Sequence, residues 1–467
     1  MLRTQSGPLF HTTMSAHLSA ASPSALRAAS ARERVERLAD DGRVDWLDAA
    51  RASPHLARFG IAAQDDDGIV TARLRLRGAS WLVAAQDERF LGGSVGAAHG
   101  DALCALLRRA RGERPAGVLL CMASGGVRLH EANAAELALA RALRELVALR
   151  ADGVRVDALA VGDVFGGASV LAAAADRLGA VPGVRLGLSG PKVVEATRGV
   201  AELDARDAAA VDALYGAAAR IRAGVVEPVA DDAACVADWL GHAAPRPFAD
   251  ATMRTQALLA PLAAPVDARA LPDGWDGESL GGGLWRVARG AGAAQVQDVL
   301  VVAPWGARAV DAASLAALDA ALLEHVGAAP GGPTLLVLLE DSRGHAVSRA
   351  AERAFLSRSL AHHACVLELL RRRGVRIAGV LMGVGHSAAF FANGLQADVL
   401  AATAEARVVA MGPAAIARVT RVPAAELVEN DAMLGHPVRH FAALGGVARM
   451  LGDATPATVL QFAAAAL

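Results

Sequence analysis

Two glycine-containing turns are the places in this sequence where backbone could do chemistry. Ser124-Gly125-Gly126-Val127 follows the apolar run Val118–Ala123, and Gly166-Gly167 follows a second apolar run that opens a helix. Glycine reaches conformations closed to other residues and lets the chain approach a ligand closely. A helix N-terminus leaves N–H groups without intrahelical partners, and the helix dipole there favours negative charge. Two such turns on adjacent strands would aim two amide donors at one point and hold a developing oxyanion, where one missing donor costs about 3–4 kcal/mol. An isolated Gly166-Gly167 pair would read as close helix–strand packing; coupled to Gly125-Gly126 it reads as functional. A second pair of turns, Ser342-Arg343-Gly344 and Ser387-Ala388-Ala389, has glycine only in its first member, and both readings stand there.

The elements that carry these turns occur twice. GVLLCMASGGVR, a long helix, VRVDALAVGDVFGGASVLAAAADRLGA and VRLGLSGP are followed in the second half by TLLVLLEDSRGH, a long helix, VRIAGVLMGVGHSAAFFANGLQADVLA and ARVVAMGP. Gly166 aligns with Ala388, Asp176 with Asp398 and Gly190-Pro191 with Gly412-Pro413, at a constant offset of 222. Short apolar runs, glycine turns and Ala/Leu-rich helices are the pattern of β-α-β units on a mainly parallel sheet, so the chain is α/β with two copies of one unit. A helix is expected over Ala31–Asp40, and strands over Gly68–Leu76 and Ser80–Gln86, the first with period-two alternation. The Pro-, Gly- and Asp-rich stretch 261–283 is read as a linker between a domain at 31–260 and one at 284–467, with strands near Leu284–Ala288 and Val296–Ala303. Residues 1–30, rich in Ala and Ser, are expected to be a disordered extension, with Met14 an alternative start.

The chain has 467 residues, enough for two cores. Its 47 basic and 48 acidic residues give a formal net charge of −1, which argues against a nucleic-acid binder. Lys192 is the sole lysine. Cys104, Cys121, Cys235 and Cys365 lie far apart with no CxxC pair, so a zinc ribbon and a metal site are not expected; scattered cysteines fit a reducing cytoplasm, as core hydrophobes. Ile377–Leu395 is apolar enough to mimic a membrane span, but its glycine and polar interruptions fit a buried strand, turn and helix, and no membrane partner is expected.

ASGGVRLHEAN, GDVFGGASVLAAA and RLGLSGP resemble the beta subunit of biotin-independent malonate decarboxylase. DSRGHAVSRAAE, GHSAAFFANGLQADVL, VVAMGPAAIARVTR and HPVRHFAALG resemble its gamma subunit, so that 31–451 reads as the two subunits fused in that order. The resemblance implies two crotonase-like β-β-α superhelix domains of the carboxyltransferase type. It implies decarboxylation of a malonyl thioester on an acyl carrier protein, with an alpha subunit exchanging malonate for acetate. No biotin and no cofactor bound by the chain itself are implied; the thioester rides on the carrier's CoA-derived group. By position, Gly125, Gly126, Val127, Gly166 and Gly167 would hold the thioester oxygen, with Ser387 and Ala388 across the interface near the leaving carboxylate. Gly190, Gly344 and Gly412 would line the substrate site. Two departures stand out: Ser-Ala-Ala follows position 386 where the family carries Ser-Gly-Ala, and Lys192 replaces an acidic residue.

Loss of CO₂ from such a thioester leaves an enolate, which donors aimed at its oxygen stabilise more than the ground state. His386 is the candidate proton donor, against a plain turn histidine. Arg128 is a candidate for the substrate carboxylate, against a structural ion pair, and His130 lies beside it. Glu131 is expected in the first turn of its own helix. Arg371-Arg372-Arg373 could dock an acidic carrier, against a solvated helix end. Two other readings stay open: a biotin-dependent carboxyltransferase component, and a silent assembly module. A hydratase is disfavoured, because only Glu131 stands near either turn.

Overall fold

The computed structural model describes residues 25–47, 52–242, 246–262, 269–289, 296, 298–326, 334–423 and 429–466. Its strands form two seven-stranded sheets of the same design. The first runs in sequence order through β1 (Val44–Trp46), β2 (Ile69–Leu76), β3 (Ala79–Gln86), β4 (Gly117–Ser124), β5 (Val156–Val164), β6 (Arg177–Ala180) and β7 (Glu227–Pro228). β1, β2 and β3 pair antiparallel, and β3 through β7 pair parallel.

The second sheet repeats this with β8 (Gly277–Gly281), β9 (Leu284–Val287), β10 (Asp298–Val302), β11 (Thr334–Glu340), β12 (Arg376–Leu381), β14 (Val399–Thr403) and β16 (Arg449–Leu451). Here too the first three strands pair antiparallel and the rest parallel. A small parallel pair, β13 (Val384–His386) and β15 (Arg407–Val409), lies beside it, echoed in the first lobe by a single bridge between Val164 and Leu186. The two α/β units expected from the repeat are therefore present, strand for strand. Parallel strands buried on both faces need continuous apolar runs, which β4 and β11 supply.

The connecting helices are α1 (Ala31–Leu38), α2 (Ala97–Glu113), α3 (Ala132–Ala151), α4 (Gly167–Ala173) and α5 (Pro191–Arg198). Then come α6 (Ala208–Tyr215), α7 (Ala217–Arg222), α8 (Ala233–Gly241), α9 (Phe248–Leu259), α10 (Ala312–His325), α11 (Arg349–Arg353), α12 (Leu356–Arg372), α13 (Ser387–Ala392) and α14 (Pro413–Thr420). α3 and α4 pack against α12 and α13, so one apolar cluster runs unbroken from Leu26 through both lobes to Ala397. Ser169 Oγ and Ser357 Oγ meet across this seam at 2.6 Å, and Arg144 pairs with Asp398. The apolar stretch Ile377–Leu395 resolves into β12, β13 and α13, and among the described residues no helix is long and apolar enough to cross a membrane.

Three expectations are corrected. Of residues 1–30, 1–24 lie outside the described residues, but 25–30 are part of the fold: Leu26 is fully buried and its N–H donates to Asp231 Oδ1 at 2.7 Å. Ser30 caps α1 in a reciprocal capping box with Glu33, which is why that helix starts where it does. The stretch 261–283 is not a plain linker, since it contributes β8 to the second sheet; 263–268 lie outside the described residues. Cys104, Cys121 and Cys365 are buried as expected, but Cys235 is exposed on α8.

Candidate functional site

The first turn of each lobe is bonded in the same way. After β4, the Gly126 N–H donates to Ser124 Oγ at 3.2 Å; after β11, the Gly344 N–H donates to Ser342 Oγ at 3.2 Å. The Gly126 carbonyl accepts from Val95 N–H and the Gly344 carbonyl from Val310 N–H, both at 2.8 Å. Arg128 N–H and Ala346 N–H return to the carbonyls of Val95 and Val310. Gly126 and Gly344 have φ of +98° and +83°, which explains glycine at both. This pattern leaves one amide in each turn, Val127 N–H and His345 N–H, without an acceptor among the described residues.

The second turns open α4 and α13. Gly166 has φ +60° and ψ −144°, a region restricted to glycine, and its N–H donates to the Leu188 carbonyl at 3.0 Å. Gly167 N–H, the first of α4, has no acceptor among the described residues. The two first-lobe turns touch: a Cβ on Gly126 would lie 3.1 Å from Gly166 Cα. One on Gly167 would lie 2.2 Å from Leu139 Cδ2, so α3 presses directly on the start of α4.

The second lobe is one residue out of step with the sequence alignment. Val156 N–H donates to Asp176 Oδ2, and Ile377 N–H donates to Asp398 Oδ2; Val164 is bridged to Leu186, and Gly385 to Val408. The extra residue of the second half therefore falls between the turn and Asp398. Ser387, rather than Ala388, takes the place of Gly166 and adopts φ +52°. Ala388 becomes the counterpart of Gly167, and its N–H has no acceptor among the described residues. A non-glycine residue in this region costs on the order of 1 kcal/mol or more. Ser387→Gly should therefore leave the fold intact and raise its stability by about 0.5–1 kcal/mol, read by denaturant unfolding; a loss of stability would show that the Ser387 side chain holds the turn.

Of the expected oxyanion residues, then, Val127, Gly167, Ser387 and Ala388 have N–H groups without an acceptor among the described residues. Gly125 N–H donates to the Gly92 carbonyl at 2.9 Å, and Gly126 and Gly166 are likewise engaged, so these three shape the turns instead of donating. Gly190 and Gly412 are the N-cap residues of α5 and α14, each followed by Pro at the first helical position, with open space where a side chain would stand.

Arg128 is not available to a substrate. Its guanidinium is 1% exposed and donates to Asp67 Oδ1 at 2.6 Å, Glu131 Oε1 at 2.9 Å and the Ser94 carbonyl at 2.9 Å. Glu131 Oε2 accepts from Ala97 N–H, so it caps α2 and not its own helix. His130 packs edge-on against Phe59 and is buried. Arg371 and Arg372 are paired with Glu368, Asp398 and Asp152, which corrects them as a free docking patch. His386 lies over Gly344, whose Cβ would come within 3.1 Å of the imidazole, and burial depresses its pKa.

Sequence reasoning passed over His345, Ser189 and Glu352, which meet where the lobes join. His345 Nε2 lies 3.1 Å from Ser189 Oγ, while Ser189 N–H and Leu188 N–H donate to the two oxygens of Glu352 at 2.6 and 3.1 Å. Burial pushes Glu352 up to about 7 and His345 down to about 4, the nearby His386 adding to the latter. Leu188 also accepts the Gly166 N–H, so this junction ties the first-lobe turn to the second-lobe turn. Its signals were the polar residues in LSGP and RGHAV, visible but uninterpretable before the lobes were brought together. Among the described residues no group of three or more His, Cys, Asp or Glu could hold a metal ion. A groove of about 450 Å³ lies elsewhere, on the outer face, lined by Leu47, Thr71 and Arg109.

Residues 28–252 match the family described as carboxyl transferase domain, and 307–467 match malonate decarboxylase gamma subunit. Over 202 residues the chain is 34% identical to malonyl-S-ACP:biotin-protein carboxyltransferase MADC of Malonomonas rubra, covering 39% of this chain and 63% of that protein. It is 32% identical over 182 residues to the acetyl-coenzyme A carboxylase carboxyl transferase subunits beta/alpha of a Parafrankia species, covering 36% of this chain and 30% of that one. It is 32% identical to a chain of the malonate-bound Pseudomonas malonate decarboxylase hetero-tetramer, covering 53% of this chain and 94% of that one with a TM-score of 0.46. The chain spans less than two thirds of the length of these curated relatives. What the matches define first is a class, a carboxyl transferase domain joined to a second domain of gamma-subunit type. Residues 28–252 are thus a domain of carboxyl transferase type and residues 307–467 one of malonate decarboxylase gamma-subunit type, carried on one polypeptide.

Proposed function

We propose that the chain decarboxylates a malonyl thioester carried on an acyl carrier protein, giving an acetyl thioester and CO₂. The observation that carries this reading is the pair of open amides, Val127 N–H and Gly167 N–H, on two first-lobe turns in contact with one another. The thioester oxygen sits between them. The bond from the α-carbon to the carboxylate breaks, the carboxylate leaves as CO₂, and its electron pair moves onto the thioester oxygen as an enolate. The α-carbon then takes a proton, and the enolate returns to a thioester. Each donor strengthens its hydrogen bond as charge develops, which places its contribution in the transition state. His345 N–H and Ala388 N–H, the matching pair in the second lobe, face the departing carboxylate.

A carrier protein, an acyl-exchanging alpha subunit and assembly into a higher oligomer in the cytoplasm complete this reading, with the thioester borne on the carrier's CoA-derived group and no cofactor on this chain. The name of the Malonomonas rubra relative supports a second reading, transfer of the carboxyl group to a biotin protein. Incubating the chain and its partner subunits with malonyl carrier protein, with and without avidin, separates the two. We expect CO₂ release that avidin leaves unchanged. Release that requires a biotin protein and stops with avidin would establish the transferase, and a folded complex releasing nothing under either condition would leave an assembly module.

A further inference from the structure

Behind the second-lobe turn lies a buried chain of four polar side chains for which the reaction above has no use. His363 Nδ1 (α12) meets Asp319 Oδ1 (α10) at 2.6 Å, and His363 Nε2 meets Asn393 Oδ1 at 2.8 Å. Asn393 Nδ2, at the C-terminal cap of α13, donates to Glu340 Oε1 at 2.5 Å. Glu340 ends β11 and leads directly into the Ser342–Gly344 turn. All four are at most 3% exposed. The last link therefore cross-connects the two elements that carry His345 N–H and Ala388 N–H. The repeat sharpens the point: the first-lobe counterparts, matched through Ser124 with Ser342, Val95 with Val310 and Gly153 with Gly374, are Cys104, Met122, Ala142 and Ala172, all buried and none charged. The sister lobe builds a sheet of the same order without such a network.

The bonding requires a proton. With the Asn393 oxygen toward His363, both ring nitrogens face acceptors, so the ring is an imidazolium, and a Glu340 carboxylate accepting from the Asn393 NH₂ completes an arrangement with a single shared proton. Turning the Asn393 amide by half a turn gives the alternative, in which its NH₂ donates to a neutral His363 and its oxygen accepts from a protonated Glu340. Either arrangement holds one shared proton, and removing it leaves two acceptors facing one another at one link. We propose that Asp319, His363, Asn393 and Glu340 are positioning residues, a relay whose shared proton fastens α13 to the end of β11 and so holds the second-lobe amides in register.

The proposal rests on the second-lobe turn serving the reaction proposed above. Other charged or titratable groups acting on the relay are Arg269, felt by Glu340, and His362, whose Nε2 lies 3.8 Å from Asp319 Oδ2 and whose pKa burial lowers against the pull of Asp319. Burial raises Glu340 to about 8, and His363 is raised by Asp319, against its own burial. Both folded values lie above their ordinary ones, so the proton is held below about pH 8 and its contribution is lost as pH rises through that value.

Glu340→Gln keeps both hydrogen bonds without the proton, since the Gln amide can donate to Asn393 while Asn393 donates to neutral His363. For the natural chain we expect kcat for CO₂ release to fall about tenfold from pH 7 to pH 9, and the unfolding temperature to fall with it. In Glu340→Gln both profiles should be flat over that range, with kcat at pH 7 within about twofold of the natural chain. Asn393→Leu should lower kcat about tenfold or more with KM unchanged, as expected of a group acting only through others. An alkaline decline shared by Glu340→Gln and the natural chain, or natural kcat in a folded Asn393→Leu protein, overturns the relay. If no form releases CO₂, the proposed function fails instead, and unfolding temperature against pH still decides the relay: a flat natural profile removes it.

Discussion

Gly166→Ala should cut CO₂ release by about 10²–10³-fold while leaving the protein folded and able to bind its carrier. The expectation follows from three constraints on one atom. Gly166 stands at φ +60° and ψ −144°, where an L side chain is strained. A Cβ there would sit 3.2 Å from Gly126 Cα, backbone that cannot rotate away. Relief requires the turn to move, and that turn sets the direction of Gly167 N–H against Val127 N–H. The strain, on the order of 1–3 kcal/mol, is small beside the stability of a chain with two buried sheets but is concentrated on the donor pair. Turnover within twofold of the natural chain, in a variant with unchanged circular dichroism, would show that these amides do not hold the reacting oxygen.

Arg128→Met is expected to reduce stability by about 3–5 kcal/mol, as breaking a buried ion network does. Asp67 and Glu131 are 0% exposed, and both direct their oxygens at this guanidinium. With the cation gone, two carboxylates remain in the interior close to one another, and the shortfall includes the β2 approach, the α2 start and the turn that follows β4. Burial already raises the Asp67 pKa, against the pull of Arg128. Without Arg128 the carboxyl would be protonated to higher pH, so the deficit should shrink as pH falls. Chemical denaturation at two pH values measures both the loss and its sign. A stability loss below about 1 kcal/mol, accompanied by a large rise in KM, would return Arg128 to a role in binding substrate.

The repeat made the architecture legible before any coordinates, because apolar runs ending in glycine have few solutions and two matching series of them have fewer. Val118–Ala123 and Leu335–Leu339 became the central strands for that reason. The open amides were only half legible. Gly126 and Gly166 announce a turn by their residue type, but the N–H groups left without an acceptor among the described residues are those of Val127 and Gly167, and which N–H of a turn stays open depends on neighbours such as Leu188 and Gly92. At the second turn of the gamma-like half, sequence identity misled by one position: aligning Gly166 with Ala388 hid the strained conformation of Ser387. Arg128, Glu131 and Arg371 looked available because charge in a sequence carries no sign of burial, and their partners come from distant segments. The Asp319–Glu340 relay was illegible for the same reason, its members being spread over four elements that only the folded second lobe brings together.

The apolar cluster that passes without interruption from Leu26 to Ala397 also bears on how the protein behaves when diluted. Two halves carried on separate chains must find each other, and the fraction assembled falls with concentration. Here the partner half is supplied at a fixed local concentration by the connecting backbone. The seam between the halves is consequently as complete at nanomolar protein as at millimolar, and specific activity should not decline on dilution for want of a dissociated half.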